Sequence, residues 1–138
     1  MATYTKFNQT VEDLANGVHD LSADQLVVAL TNTAPVASNS VLADLTEISY
    51  TNLSSRNITT TSSTQTSGTY SLVLEDLVLT ASGGSVADFQ YVVIYNDAPT
   101  SPADPLIGFY DYGSTVSLGD GESFTIDFTE AQTLLDLV

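Results

Sequence analysis

The segment Phe89-Gln90-Tyr91-Val92-Val93-Ile94-Tyr95 constrains the fold more than any other part of the chain. Successive side chains on a strand point to opposite faces. Phe89, Tyr91, Val93 and Tyr95 therefore share one face, and Val92 and Ile94 occupy the other. With both faces apolar, such a strand is central: it needs a hydrogen-bonded neighbour and a layer of cover on each side.

The rest of the chain supplies neighbours at short intervals. Leu26–Thr31 (LVVALT) reads as a strand, ended by the loop Asn32-Thr33-Ala34-Pro35. Residues 41–49 (VLADLTEIS) are ambiguous, because Leu42, Leu45 and Ile48 also fit a short helical turn. Arg56–Thr61 reads as a strand with outward threonines, and Ser62–Gly68 as a loop. From Tyr70 to Thr80 the alternation of Tyr70, Leu72 and Leu74 is reset at Glu75-Asp76, as a bulge or sharp bend would do. Further strands read as Leu106–Tyr112, Thr115–Leu118 and Glu122–Phe128, with Phe124, Ile126 and Phe128 inward and a hairpin turn at Gly119-Asp120-Gly121. Leu134–Val138 reads as a last edge strand. Roughly seven or eight short strands without helical crossovers fit an antiparallel sandwich or a small barrel. The reading taken forward is mainly β: a jelly-roll-like antiparallel β-sandwich over residues 23–138, after a helix and connector over 1–22, in one domain.

Only the start of the chain reads as helical. Between Thr3 and Asn16, the residues Phe7, Val11, Leu14 and Ala15 fall on one stripe, with Glu12 and Asp13 on the other side. Thr3 or Thr5 would cap this helix, and Gly17 would end it in the left-handed conformation. Its apolar stripe must lie on its own domain or on another subunit.

Charge narrows the choice of partners. The 138 residues hold 17 Asp and Glu against two basic residues, Lys6 and Arg56, for a net charge of -15. A nucleic-acid binder neutralises phosphates with lysine and arginine, so no nucleic acid is expected as partner. Anionic lipid is disfavoured on the same ground, and no apolar run approaches the roughly 20 residues of a membrane span. The opening MATYTKFNQTVEDL lacks an apolar core and does not read as a secretion signal. Hydrophobic residues are 43% of the chain, enough for a folded core and unlike a disordered acidic tail. Eleven of the acids follow Arg56 with no basic residue among them, so self-repulsion disfavours an isolated monomer.

Catalytic groups are few. His19 is the only histidine, and its neighbour Asp20 would point to the opposite face of an extended segment, so it reads as packing at the helix end or capping a turn. No GxSxG elbow occurs, and there is no cysteine. Asp76, Asp97, Asp111 and Asp127 sit in or beside strands, where a pair about 5 to 9 Å apart would suit glycoside hydrolysis. There is no tryptophan to stack on a sugar, although Tyr91, Tyr95, Tyr110 and Tyr112 could substitute. Asn96-Asp97 with Asp104, or Asp120 with Glu122, offer oxygens to a loosely held cation without the spacing of a dedicated site. The chain is read as no enzyme, with no catalytic residue, metal site or cofactor.

Several stretches carry a resemblance. They are Tyr4-Thr5-Lys6-Phe7, Leu14 to Leu21 (LANGVHDL), Val28 to Pro35 (VALTNTAP) and Val41-Leu42-Ala43-Asp44. They continue through Thr60 to Ser63 (TTSS), Gln65 to Tyr70 (QTSGTY), Leu79 to Gly84 (LTASGG), Tyr95-Asn96-Asp97 and Leu106 to Gly113 (LIGFYDYG). Over most of its length the chain resembles a family of small virion structural proteins encoded in the morphogenesis regions of tailed bacteriophages, nearest in function to capsid decoration (cement) proteins. The resemblance implies a homotrimer on the outer surface of the capsid, binding the major capsid protein of the virion. It carries over no catalytic residues. Family members commonly have a basic residue where Val27 stands, so the contact there would be apolar or would use basic residues of the capsid protein. Phe7, Val11, Leu14 and Val27 are accordingly the candidate interface residues. A tail or baseplate component, and a carbohydrate- or receptor-binding β module, are the alternative functions.

Overall fold

A computed structural model describes residues 3–128. The elements in chain order are β1 (Thr3–Lys6), α1 (Gln9–Ala15), β2 (Leu26–Thr31), a 3-10 turn (Leu42–Asp44), β3 (Thr60–Thr66), β4 (Thr69–Leu74), β5 (Leu77–Thr80), β6 (Val86–Asn96), β7 (Leu106–Leu118) and β8 (Ser123–Ile126). The fold is mainly β, with one short N-terminal helix. A four-stranded antiparallel sheet has the order β1-β7-β6-β2, and two antiparallel ribbons pair β3 with β4 and β5 with β8. The expected edge strand at Leu134–Val138 lies outside the described residues.

The central strand behaves as its composition requires. β6 pairs with β2 along one edge and β7 along the other. Leu26, Val28, Leu30, Val92 and Ile94 enter the larger core, together with Leu72 and Leu74 of β4, Leu79 of β5 and Ile126 of β8. Val27, Ala29, Val93 and Tyr95 enter a second cluster on the opposite face, with Phe7, Leu106 and Phe109 and with Leu42 and Leu45 packed over them. Burying a side chain of this size contributes about 1.5–3 kcal/mol, so covering both faces is a principal source of stability.

Strict alternation fails at Phe89. This ring lies in the larger core with Val92, not with Tyr91, Val93 and Tyr95. The register jumps there from Phe89↔Val116 to Tyr91↔Asp111, and such an irregularity reverses the phase. A second shift, between Ile94↔Gly108 and Tyr95↔Leu106, lets Leu106 and Phe109 share the smaller cluster.

Four further expectations change. The N-terminal helix is shorter: Thr3–Lys6 pairs with β7, as suits two β-branched threonines around a tyrosine. Tyr4 crosses Gly108, where a Cβ would run into its ring, and helix begins only after Phe7. Ser62–Gly68 is no loop, because β3 runs to Thr66 and only Ser67-Gly68 turn, both at positive φ as a two-residue hairpin requires. The turn at Gly119-Asp120-Gly121 joins strands of different sheets, so it makes no hairpin. The side facing the larger core is split into two ribbons, with the chain passing from one to the other at Glu75-Asp76, and it is not one continuous second sheet.

Phe7 and Val11 follow opposite fates. Phe7 is fully buried, its ring 5.2 Å from that of Phe109, whereas Val11 is 46% exposed. Phe7→Ala is expected to cost about 3–5 kcal/mol through lost transfer energy and a cavity. Val11→Ala should remain within about 0.5 kcal/mol. Urea denaturation at two protein concentrations checks this, and the Phe7 effect should not depend on concentration because its contacts lie within one chain.

Candidate functional site

The helix ends in a polar knot beside an open cleft of ≈ 490 Å³ lined by Leu14, His19, Leu21, Ser22, Ser63 and Tyr70, among others. Gly17, at φ 78, terminates α1, and Val18 N–H donates back to Asp13 O at 2.8 Å. The connector then folds on its own acids. Ser22 donates its N–H and its hydroxyl to Asp20 Oδ1 at 3.1 and 2.6 Å, and Asp20 N–H donates to Asp24 Oδ2 at 2.9 Å. The Ser22 bonds to the exposed Asp20 carboxylate hold its pKa below the usual range.

His19 is buried and Asp20 exposed, as alternation in an extended segment implies. Asn96 at the end of β6 donates from Nδ2 to His19 Nδ1 at 3.0 Å and to Asp24 Oδ2 at 2.8 Å. Its Oδ1 accepts Ala98 N–H at 3.1 Å. Those two outer contacts fix the amide orientation, so Nδ1 of His19 accepts and the ring proton resides on Nε2. Burial lowers the His19 pKa below 6.5, against the opposing attraction of Asp13 and Asp24.

The inward face of α1 is polar. Thr10 is fully buried and its hydroxyl reaches the carbonyl oxygens of Leu106 and Ile107 at 2.8 and 2.9 Å. Asp13 is buried too, accepting from Gln9 Nε2 at 3.2 Å. The helix is thus turned about its axis relative to the stripe expected from sequence. Of the candidate interface residues, Phe7 and Val27 are buried within the chain and present no surface, since each fills the second cluster. Leu14 is half-buried against the larger core, and Val11 faces outward. The structure does not bring the four together as one patch.

The other acids are dispersed among separate structural tasks. Asp76 Oδ1 accepts Phe128 N–H at 3.0 Å. Asp111 Oδ1 accepts from Gln90 Nε2 and Gly113 N–H at 3.0 and 2.8 Å, which lowers its pKa. Asp120 Oδ1 accepts Gly83 N–H at 3.1 Å, and Glu122 Oε1 accepts Gly119 N–H at 2.6 Å. Among the described residues, no group of three or more His, Asp or Glu side chains is placed to hold a metal ion. No helix among them is long and apolar enough to cross a membrane. Tyr110 and Tyr112 pack with the larger core and Tyr91 and Tyr95 with the smaller one, so these tyrosines do not gather into an exposed platform.

Two features escaped the sequence. Arg56 lies with its guanidinium carbon 3.6 Å from the centre of the Tyr50 ring and donates from Nη1 to Val28 O at 2.7 Å. Nothing in the spacing of Tyr50 and Arg56 signals this stack. The second feature is the placement of charge. No residue of β3, β4, β5 or β8 is charged, although the chain carries a net -15. Thr61, Val73, Val78, Ser123 and Thr125 are exposed on these ribbons, with Val73 at 42% and Val78 at 51%.

Asp104, at φ 51 in the loop before β7, offers a test of the acidic side. Partial burial raises its pKa, and the neighbouring carboxylates of Asp97 and Glu47 raise it further. A carboxyl with a raised folded-state pKa stabilises the fold below its unfolded pKa, and this contribution is lost as pH rises through the folded value. Asp104→Asn should therefore increase Tm at pH 7, and the charge-dependent part of the gain should vanish on acidification toward pH 3. Thermal melts of both proteins across that range measure it. Comparison of the chain with family models, curated proteins and solved structures finds no match to any of them.

Proposed function

We propose that this chain is a non-enzymatic virion protein of a tailed bacteriophage: a capsid decoration (cement) protein that binds the assembled head from outside as a homotrimer and braces neighbouring major capsid protein subunits. In this reading the two ribbons are the counterpart of the second sheet of a jelly-roll-like sandwich. The observation that carries the proposal is the absence of charge along the strands of the two ribbons, with acids only at their ends, as at Glu75, Asp76 and Glu122. Interface cores are depleted of charged residues, and desolvating an unpaired carboxylate costs several kcal/mol. The charge-free Ser/Thr/Val surfaces of β3–β4 and β5–β8 are the parts of this acidic molecule that can be buried against another protein without that cost.

The mechanism is linkage. A protein that binds the assembled lattice and not its free subunits adds its binding free energy to the lattice. Trimerisation raises the effective concentration of each further contact once the first is made. The closed symmetry of a trimer also suits threefold and quasi-threefold positions on a head.

Purified protein mixed with undecorated heads is expected to co-sediment with them and to raise their disruption temperature, with density on the outer surface by electron microscopy. Val73→Glu with Val78→Glu should weaken binding at least about tenfold, since a buried unpaired charge costs more than 1.4 kcal/mol. Self-association should strengthen with salt, because screening relieves repulsion between copies of charge -15. A monomer at all salt concentrations that leaves heads unchanged would refute the proposal.

A further inference from the structure

The polar knot around His19 is more elaborate than a short connector requires. Leu21 of the connector packs into the larger core, and the side-chain hydrogen bonds from residues 17–24 to β6 run through one amide, Asn96, which is fully buried and donates both its N–H groups, one to His19 and one to Asp24. His19 Nε2 and Asp13 Oδ2 are buried without a protein partner. Groups of this kind are costly unless paired, so the knot is a local weak point of the structure.

We propose that His19 is an acid-sensitive latch: neutral, it ties the connector and the end of α1 to Asn96 of β6; protonated, it releases them while the sheet stays folded. The geometry dictates the response. A proton taken from solvent goes to Nδ1, since Nε2 already carries one, and Nδ1–H then opposes the Nδ2–H of Asn96, donor against donor. Rotating the amide gives no escape, because it would forfeit the Ala98 N–H contact and turn Oδ1 toward the Asp24 carboxylate.

The charged surroundings act in both directions. Asp13 of α1 and Asp24 of the connector attract an imidazolium, while burial disfavours it and prevails. Asp20 and Tyr70 line the adjoining cleft, with Asp20 engaged by Ser22 and the Tyr70 hydroxyl 2.7 Å from Ser63 Oγ. The latch is fully engaged above pH 6.5, the ordinary histidine value, and is lost as pH falls through the lowered folded-state pKa. This inference is independent of the proposed function.

The test uses the full chain, in which His19 supplies the only imidazole signals. Long-range proton–nitrogen correlation spectra should show the Nε2–H tautomer at pH 7 and a titration midpoint below 6.5. Hydrogen exchange of amides 14–24, corrected for intrinsic rates, should accelerate about tenfold per pH unit between 6.5 and that midpoint, with β2 and β6 amides unaffected. In His19→Gln the acceleration should be absent. An Nδ1–H tautomer, a midpoint at or above 6.5, or simultaneous loss of protection in β2 and β6 overturns the proposal, and each can be read from the unmodified protein alone.

Discussion

Closure of the outer edge of β2 is the interaction on which the rest of the structure depends. β2 ends the four-stranded sheet yet is buried on both faces, so its outward backbone groups cannot be left to water. Segment 48–58 satisfies them in turn. Ile58 N–H donates to Leu26 O at 2.9 Å, Val28 N–H to Arg56 O at 2.9 Å, and Ile48 N–H to Leu30 O at 3.0 Å. The Tyr50 hydroxyl accepts Leu30 N–H at 3.0 Å and donates to Glu47 Oε1 at 2.6 Å. Arg56 completes the closure by bonding Val28 O and stacking on Tyr50. An unpaired edge of this hydrophobicity would be a template for aggregation.

One of only two basic residues in the described chain is thus committed to sealing the fold. The outer surface is left to acids and hydroxyls, and the strands of the two ribbons carry no charge, the nearest carboxylates standing at their ends, as at Glu75, Asp76 and Glu122. Surface acids are restrained by local hydrogen bonds, as at Asp20, Asp76 and Asp111, where backbone or side-chain donors replace the missing lysines and arginines.

Much of the fold was legible because apolar periodicity reports burial directly. Leu26–Thr31 forms the strand expected, Leu42–Asp44 makes the helical turn that VLADLTEIS allowed, and β6 is central as its two apolar faces required. What periodicity could not show were features carried by polar groups or by the backbone. The ribbon β3 has no apolar alternation because Thr and Ser occupy both its faces. The helix packs through Thr10 and Asp13, with the Thr10 hydroxyl bonded to the carbonyls of Leu106 and Ile107, and leaves Val11 outside. The bulges that reverse Phe89 and pair Leu106 with Phe109 leave no signature in hydrophobicity. For the site, the burial of His19 and its separation from Asp20 were legible, whereas Asn96, 77 residues away in sequence, was not.

Native-state hydrogen exchange of the β2 amides tests the central claim most directly. Val28 and Leu30 N–H point away from β6, toward Arg56 O and the Tyr50 hydroxyl. The account predicts that they exchange as slowly as the Val27 and Ala29 amides, through global unfolding alone. Exchange of Val28 and Leu30 at the rate of an open edge, with Val27 and Ala29 still protected, would contradict it.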